Sequence, residues 1–295
     1  MHHPRWLPAL IAALSCALGC AAPAQADAAL HCLWEVHGKH NTLYLLGSIH
    51  VLRPRDYPLD AVVQAAYAQA GALLMEINLQ DIDTAEVQSE MIASAILPKG
   101  RTLADVMGAA RYAHARALAQ DVGVDLSTFD GFAPWFAAEA ISQLELIRLG
   151  FQAQAGVEMY FLERAKADGK RITGLETVHD QIALFEGLSL DAQSGYLVSS
   201  LEEAHELPRD VDDMVRAWKR GDTGWFAKEM ASEFADDPAL ATSLLAARNR
   251  RWVPQIEALL NDDRNYLVIV GTGHLVGQGS VIELLKKDGV DAVQR

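Results

Sequence analysis

Two stretches decide the reading of this chain: Thr42-Leu-Tyr-Leu-Leu-Gly-Ser-Ile-His50 and Tyr266-Leu-Val-Ile-Val-Gly-Thr-Gly-His274. Each is a short apolar run that exits through a glycine and reaches a histidine three positions later. Apolar runs without alternation suit strands buried on both faces, as in a parallel sheet covered by helices. Two further runs end in the same manner: Ala72-Leu-Leu-Met75 leads into Glu76, and Arg171-Ile-Thr173 leads through Gly174-Leu175 into Glu176. The predicted fold is therefore α/β, with a central, mostly parallel sheet flanked by helices.

Working outward, Cys32–Val36 reads as an edge strand. It turns through Gly38-Lys-His-Asn41 into the Thr42 strand as an N-terminal hairpin. Between about 80 and 170 the apolar period becomes helical, with helices expected over Asp83–Ala95, Gly108–Val122, Pro134–Leu149 and Ala155–Ala167. Pro134 opens one of these and Gly169 lies past the end of another, as helix capping favours. This helical middle is a large insertion or cap. Further helices are expected near 191–205, 209–219 and 239–260. The chain ends with a helix over Ser280–Lys287, a stop at Gly289 and a short strand over Val290–Val293. No repeat and no Pro/Gly/Ser linker divides residues 27–295, so a single domain with a helical subdomain is expected.

The start of the chain reads differently. Met1–Arg5 is short and basic, Trp6–Leu18 is apolar but too short to span a bilayer, and Ala24-Gln25-Ala26 has small residues where a signal peptidase reads. Residues 1–26 are expected to be a signal peptide, with cleavage before Asp27, export to the periplasm and no transmembrane segment in the mature chain. Lipid anchoring at Cys20 is the weaker reading, because Leu18 sits two residues before the cysteine where a lipobox has three. Cleavage leaves Cys32 as the one cysteine, so no intrachain disulfide forms. The formal charge of the 295-residue chain is −14. An acidic chain without a basic cluster argues against nucleic acid and against anionic lipid as partners. The oligomeric state is not legible.

Ligand sites in open α/β sheets form beyond the carboxyl ends of the strands. Here those ends carry His50, Glu76, Glu176 and His274. Glu76 directly follows Ala-Leu-Leu-Met, where a carboxylate loses its water and needs a cation, a proton or a metal. An ion pair with Arg53, Arg55 or an arginine near Arg248 is one way to meet that need. Glu176 has an alternative as a cap of the helix beginning near Thr177. Two histidines and one or two carboxylates can hold a divalent metal such as Zn, Mn or Co beside an open position for water. The same groups also suit metal-free water activation, with a His–carboxylate base and an arginine on the oxyanion. Several chemistries lack their motifs: there is no His-Glu-x-x-His, no Gly-x-Ser-x-Gly and no P-loop. Gly271-Thr-Gly-His-Leu-Val-Gly277 has the wrong spacing for a dinucleotide loop. Met75, Trp135 and Trp252 read as core.

Leu45-Leu-Gly-Ser-Ile-His-Val-Leu52, Leu73-Leu-Met-Glu-Ile77, Gly169-Lys-Arg-Ile-Thr-Gly-Leu-Glu-Thr177, Arg248-Asn-Arg-Arg-Trp252 and Val270-Gly-Thr-Gly-His-Leu275 together resemble the TraB/GumN family over roughly residues 30–294. The resemblance implies a wider superfamily with the Tiki metalloproteases, erythromycin-esterase-like enzymes and the haem-binding ChaN-like proteins. It places His50 and His274 as the paired Gly-x-x-His histidines, Glu76 and Glu176 as the site glutamates, and Arg248-Asn249 as an accompanying pair. The Tiki resemblance implies metal-dependent cleavage of peptides, with His50, Glu76 and His274 as the metal or base set. The ChaN-like resemblance implies haem or iron binding without turnover. The esterase-like branch carries an acidic residue just before its first motif histidine, where this chain has Ser48. The leading expectation is an exported hydrolase, a metal-dependent peptidase acting on a peptide or small-molecule substrate. In it a glutamate takes the proton from water and Arg248 steadies the oxyanion.

Overall fold

A computed structural model describes residues 30–233 and 238–295. The expected signal peptide and Cys20 lie outside the described residues. In chain order the elements are β1 (Leu33–His37), β2 (Thr42–Ser48), α1 (Ala61–Gln69), β3 (Ala72–Ile77), α2 (Thr84–Ala95), α3 (Leu103–Met107), α4 (Ala109–Asp121), α5 (Pro134–Arg148), α6 (Val157–Ala167), β4 (Arg171–Glu176), α7 (Val178–Glu186), α8 (Leu190–Lys219), α9 (Thr223–Glu233), α10 (Pro238–Ala241), α11 (Ala247–Leu259), β5 (Tyr266–Gly271), α12 (Val281–Lys287) and β6 (Ala292–Gln294). The fold is α/β, with one mixed six-stranded sheet of order β4-β3-β5-β2-β1-β6 flanked by helices.

β4, β3, β5 and β2 run parallel. β1 pairs antiparallel with β2 as the expected hairpin, and β6 pairs antiparallel with β1. β6 rather than β1 is therefore the sheet edge, which corrects the placement of β1. The short terminal strand was expected, but its partner lies at the far end of the chain, so nothing local marks their pairing.

Parallel pairing brings all four polar strand exits to one side. Ser48 pairs with Gly271, Met75 with Ile269 and Gly174, and Ile77 with Glu176. The exits of β2 and β5 are thus adjacent, with β3 beside β5. The strands supply the main core: Leu43, Leu45, Leu73, Leu267, Val268, Ile269 and Val270 are fully buried. Each such Leu or Ile contributes roughly 1.5–3 kcal/mol of burial.

A second core lies among the helices inserted between β3 and β4. Leu103, Ala115, Leu126, Ala137, Ala138 and Ile141 pack there against Leu197 and Leu201 of α8. Alanines at 137 and 138 let α5 and α8 approach closely. α8 is one continuous helix where two were expected, because Pro208 does not stop it. Pro208 is exposed, and apolar residues before and after it (Leu197, Leu201, Ala204; Val211, Val215, Trp218) are buried in the two cores. Packing on both sides outweighs the local penalty of a helical proline. Among the described residues no helix is long and apolar enough to cross a membrane.

Candidate functional site

His50 lies two residues past β2, in the loop leading to α1. Its Nδ1 is 2.7 Å from Oε1 of Glu158, in the first turn of α6, and Ser48 Oγ donates to the same oxygen. The His50 side chain is 65% exposed, while that of Glu158 is 11% exposed. The Glu158 carboxylate pushes the His50 ring up to about 9, with Glu76 adding to the effect.

His274 sits in the 3₁₀ turn after β5 and is 6% exposed in its side chain. Asn249 donates Nδ2 to the Gly279 carbonyl at 2.9 Å, so its Oδ1 faces the ring and accepts from His274 Nδ1 at 2.6 Å. The lone pair is left on Nε2, where Arg248 Nη1 donates at 3.0 Å. Trp252 covers the ring at 4.4 Å between centroids. Burial pushes His274 down to about 3, so it is neutral.

Glu76, near the end of β3, lies between the two histidines. Its Oε1 accepts from Gly271 N–H at 2.7 Å and is 3.9 Å from His274 Nε2. Its Oε2 accepts from Arg248 Nη2 at 2.7 Å and Gln181 Nε2 at 3.1 Å. Burial alone would raise this carboxyl. The cationic Arg248 and His50 side chains and the Gly271 N–H overcome that and hold it below the usual carboxylate range. A Cβ at position 271 would crowd the site, standing 3.3 Å from His50 Nε2 and 3.4 Å from Glu76 Oε1. His50 Nε2 and Glu76 Oε1 therefore face one small shared space.

Arg248 follows a π-helical turn, Thr242–Ala246, at the start of α11. All five of its donors are engaged. Nε reaches Glu176 at 3.0 Å, Nη1 reaches the Leu244 carbonyl and His274, and Nη2 reaches Glu76 and Glu176 at 2.7 and 2.5 Å. Glu176 does not cap α7; Thr177 does, in a capping box with Asp180. Glu176 instead accepts from Arg248, from Gln181 at 2.8 Å and from Trp252 Nε1 at 3.1 Å. The expected need of Glu76 for a cation is met by Arg248, whereas Arg53 pairs with Asp56 and Asp212.

A cleft of about 260 Å³ opens onto His50, Glu76, Glu158 and Gln181, with Met75, Ile77, Leu79 and Met159 on its apolar side. All five residues expected at the site from the sequence are thus brought together: His50 and Glu76 line the cleft, and Glu176, Arg248 and His274 form the buried layer behind it. Glu158 and Gln181 were not anticipated. A glutamate in a first helical turn is too common to stand out, and its one local hint is the preceding Gly156.

A divalent ion suits the donor chemistry here, namely two imidazole Nε2 atoms and Glu76 Oε1, with both Nδ1 atoms tethered as metal-bound histidines usually are. Among the described residues, no group of three or more His, Cys, Asp or Glu side chains stands ready to hold an ion. Arg248 occupies His274 Nε2 and a proton occupies the raised His50 ring at neutral pH, so that bond must be exchanged and that proton released before the two can ligate.

The sequence profile of the TraB/PrgY/gumN family matches residues 32–294. The chain belongs to this family. Its relatives include the uncharacterized protein YbaP of Escherichia coli (strain K12), 25% identical over 82% of this chain and 87% of the relative. An uncharacterized protein of Treponema pallidum (strain Nichols) is 21% identical over 86% of this chain and 80% of its own. A metalloprotease TIKI homolog of Amphimedon queenslandica is 24% identical over 87% of this chain and 60% of its own. No solved structure is a significant match. The family profile covers both Gly-x-x-His turns and every residue of the site. Membership together with the metalloprotease relative makes a hydrolase a possible function.

Proposed function

We propose that this TraB/PrgY/gumN member is an exported hydrolase, a metal-dependent peptidase whose ion is held by His50, Glu76 and His274. One observation carries the reading: both histidines have Nδ1 tethered, Glu76 Oε1 lies 3.9 Å from His274 Nε2, and Glu76 Oε1 and His50 Nε2 both border the space over Gly271. A bound divalent ion would supply a water of lowered pKa and polarise a substrate carbonyl. Glu76 stays ionised through the neutral range and serves as the anionic donor. Arg248 and Glu176 enter as positioning residues rather than as oxyanion and proton partners, because their polar atoms are already bonded to the site's own framework. The apolar side of the cleft receives a peptide side chain. Met75, Ile77, Leu79 and Met159 form that side. Export to the periplasm is supported by the basic, apolar and Ala-Gln-Ala segments of residues 1–26.

The test is metal analysis of residues 27–295, purified without chelator or affinity metal, beside a His50→Ala/His274→Ala double variant. Near-stoichiometric Zn, Mn or Co in the wild type alone is the expected result. A peptide library should then be cleaved by the wild type and not by the variant. Absence of metal after reconstitution, or equal cleavage by both proteins, overturns the assignment.

A further inference from the structure

His50 is poorly restrained for a residue at the centre of a site. Its side chain is 65% exposed, and among the described residues Glu158 Oε1 is the one hydrogen-bond partner its ring has. His274, by contrast, is enclosed by Trp252, Asn249 and Arg248. The placement of the His50 ring therefore depends on Glu158.

Glu158 is itself firmly mounted. It is buried at the second position of α6, where the helix N-terminus favours a carboxylate. The end of α6 is fastened to the His50 loop by Val157 N–H, which donates to the Ile49 carbonyl at 3.1 Å. Gly156 allows this contact, since a Cβ there would lie 2.0 Å from the His50 carbonyl oxygen. The same short segment thus touches the His50 backbone and holds its ring.

We infer that Glu158 is the positioning residue for His50: by accepting from Nδ1 it turns Nε2 toward Glu76, with the Gly156–Val157 contact as its mount. The inference rests on reading His50 as a site residue. It does not require a particular metal.

The experiment compares full mature wild type, Glu158→Ala, Glu158→Gln and Gly156→Ala. Calorimetric titration with Mn²⁺ or Zn²⁺ alone gives one readout, and the His50 ring orientation in crystal structures gives the other. Glu158→Ala should weaken ion binding about 10- to 100-fold, the usual range for losing the partner of a ligating histidine. Its His50 ring should leave the Glu76 side of the cleft. Glu158→Gln keeps an acceptor oxygen of the same reach, so it should keep the ring in place and recover most of the affinity. Gly156→Ala, which alters neither side chain, should displace the ring as Glu158→Ala does. An unmoved His50 ring in Glu158→Ala overturns the inference. So does an equal loss in Glu158→Ala and Glu158→Gln, which would assign the effect to charge. If the wild type binds no ion, the metal reading falls, and the ring orientations still decide the role of Glu158.

Discussion

His50 and His274 leave adjacent parallel strands through the same Gly-x-x-His sequence, at paired positions Ser48 and Gly271. His50 reaches into an open cleft and leans on a carboxylate; His274 is enclosed and leans on an amide. The first ring is pushed up to about 9 and the second down to about 3. One local motif thus yields two histidines of opposite character, because their partners come from different helices, α6 and α11, 108 and 25 residues away. The motif sets where each imidazole stands, and the helices set what it can do.

The buried side of this contrast should break most heavily. Arg248→Met leaves Glu76 without its cation and Glu176 with only Arg251 at 3.9 Å, and should cost about 3–5 kcal/mol. Urea denaturation at neutral pH measures it, and a loss below 1 kcal/mol would mean that the arginine is not holding the His274 side together.

On the His50 side, the Arg53–Asp56 pair anchors the loop just beyond the histidine. Burial opposes ionisation of Asp56, but bonds from the Arg53 guanidinium and N–H win and lower its carboxyl. A lowered folded-state value means stability that is present above the ordinary aspartate value of about 3.9 and lost as pH falls through the folded value. Asp56→Asn should cost about 2 kcal/mol at pH 7, and the variant should converge with the wild type in acid. Denaturation curves across pH 2–7 test this, and a constant gap would refute it.

A smaller effect should separate the histidines directly. Because His50 is raised by Glu158, the stability this pair adds is complete below the unfolded histidine value of about 6.5 and fades as pH rises through about 9. Thermal unfolding of wild type and Glu158→Gln should therefore differ at pH 6 and draw together at pH 10. His274, already neutral at pH 6, contributes no such alkaline step.

The smallest change in stability should come from Gly271→Ala. The residue is not in the left-handed region, with φ −51°, and the new methyl meets only side-chain atoms at 3.3 and 3.4 Å. Stability should shift by no more than about 0.5 kcal/mol. Divalent-ion titration should nevertheless show weakened binding, since the methyl enters the space between His50 and Glu76. Unchanged binding would mean that this space is not where the two groups cooperate.

β2, β3 and β5 were legible as unbroken apolar runs and β4 as the shorter Arg171-Ile-Thr173 leading into Gly174, and their exits named His50, Glu76, Glu176 and His274 from the sequence alone. Strand order was not legible: β5 enters between β3 and β2 from the far end of the chain, and the expected terminal strand gave no sign that it pairs with β1. α1 and α9 were also missed. Ala61–Gln69 is rich in alanine and interrupted by glutamines, so its apolar face is weakly marked. The paired environments of the histidines lay beyond reach for a different reason. Glu158, Asn249 and Gln181 are ordinary helix residues until the fold brings them to the strand exits.

α8 is a rod of 30 residues, about 45 Å long. One stretch of it carries Leu197 and Leu201 in the helical core, and near its other end the Trp218 indole N–H is donated to the Gly47 carbonyl at 2.7 Å. Gly47 is the last pivot of β2 before His50. The helical layer is therefore tied to the strand exit by a lever arm: one continuous helix joins the second core directly to the carbonyl three residues before His50.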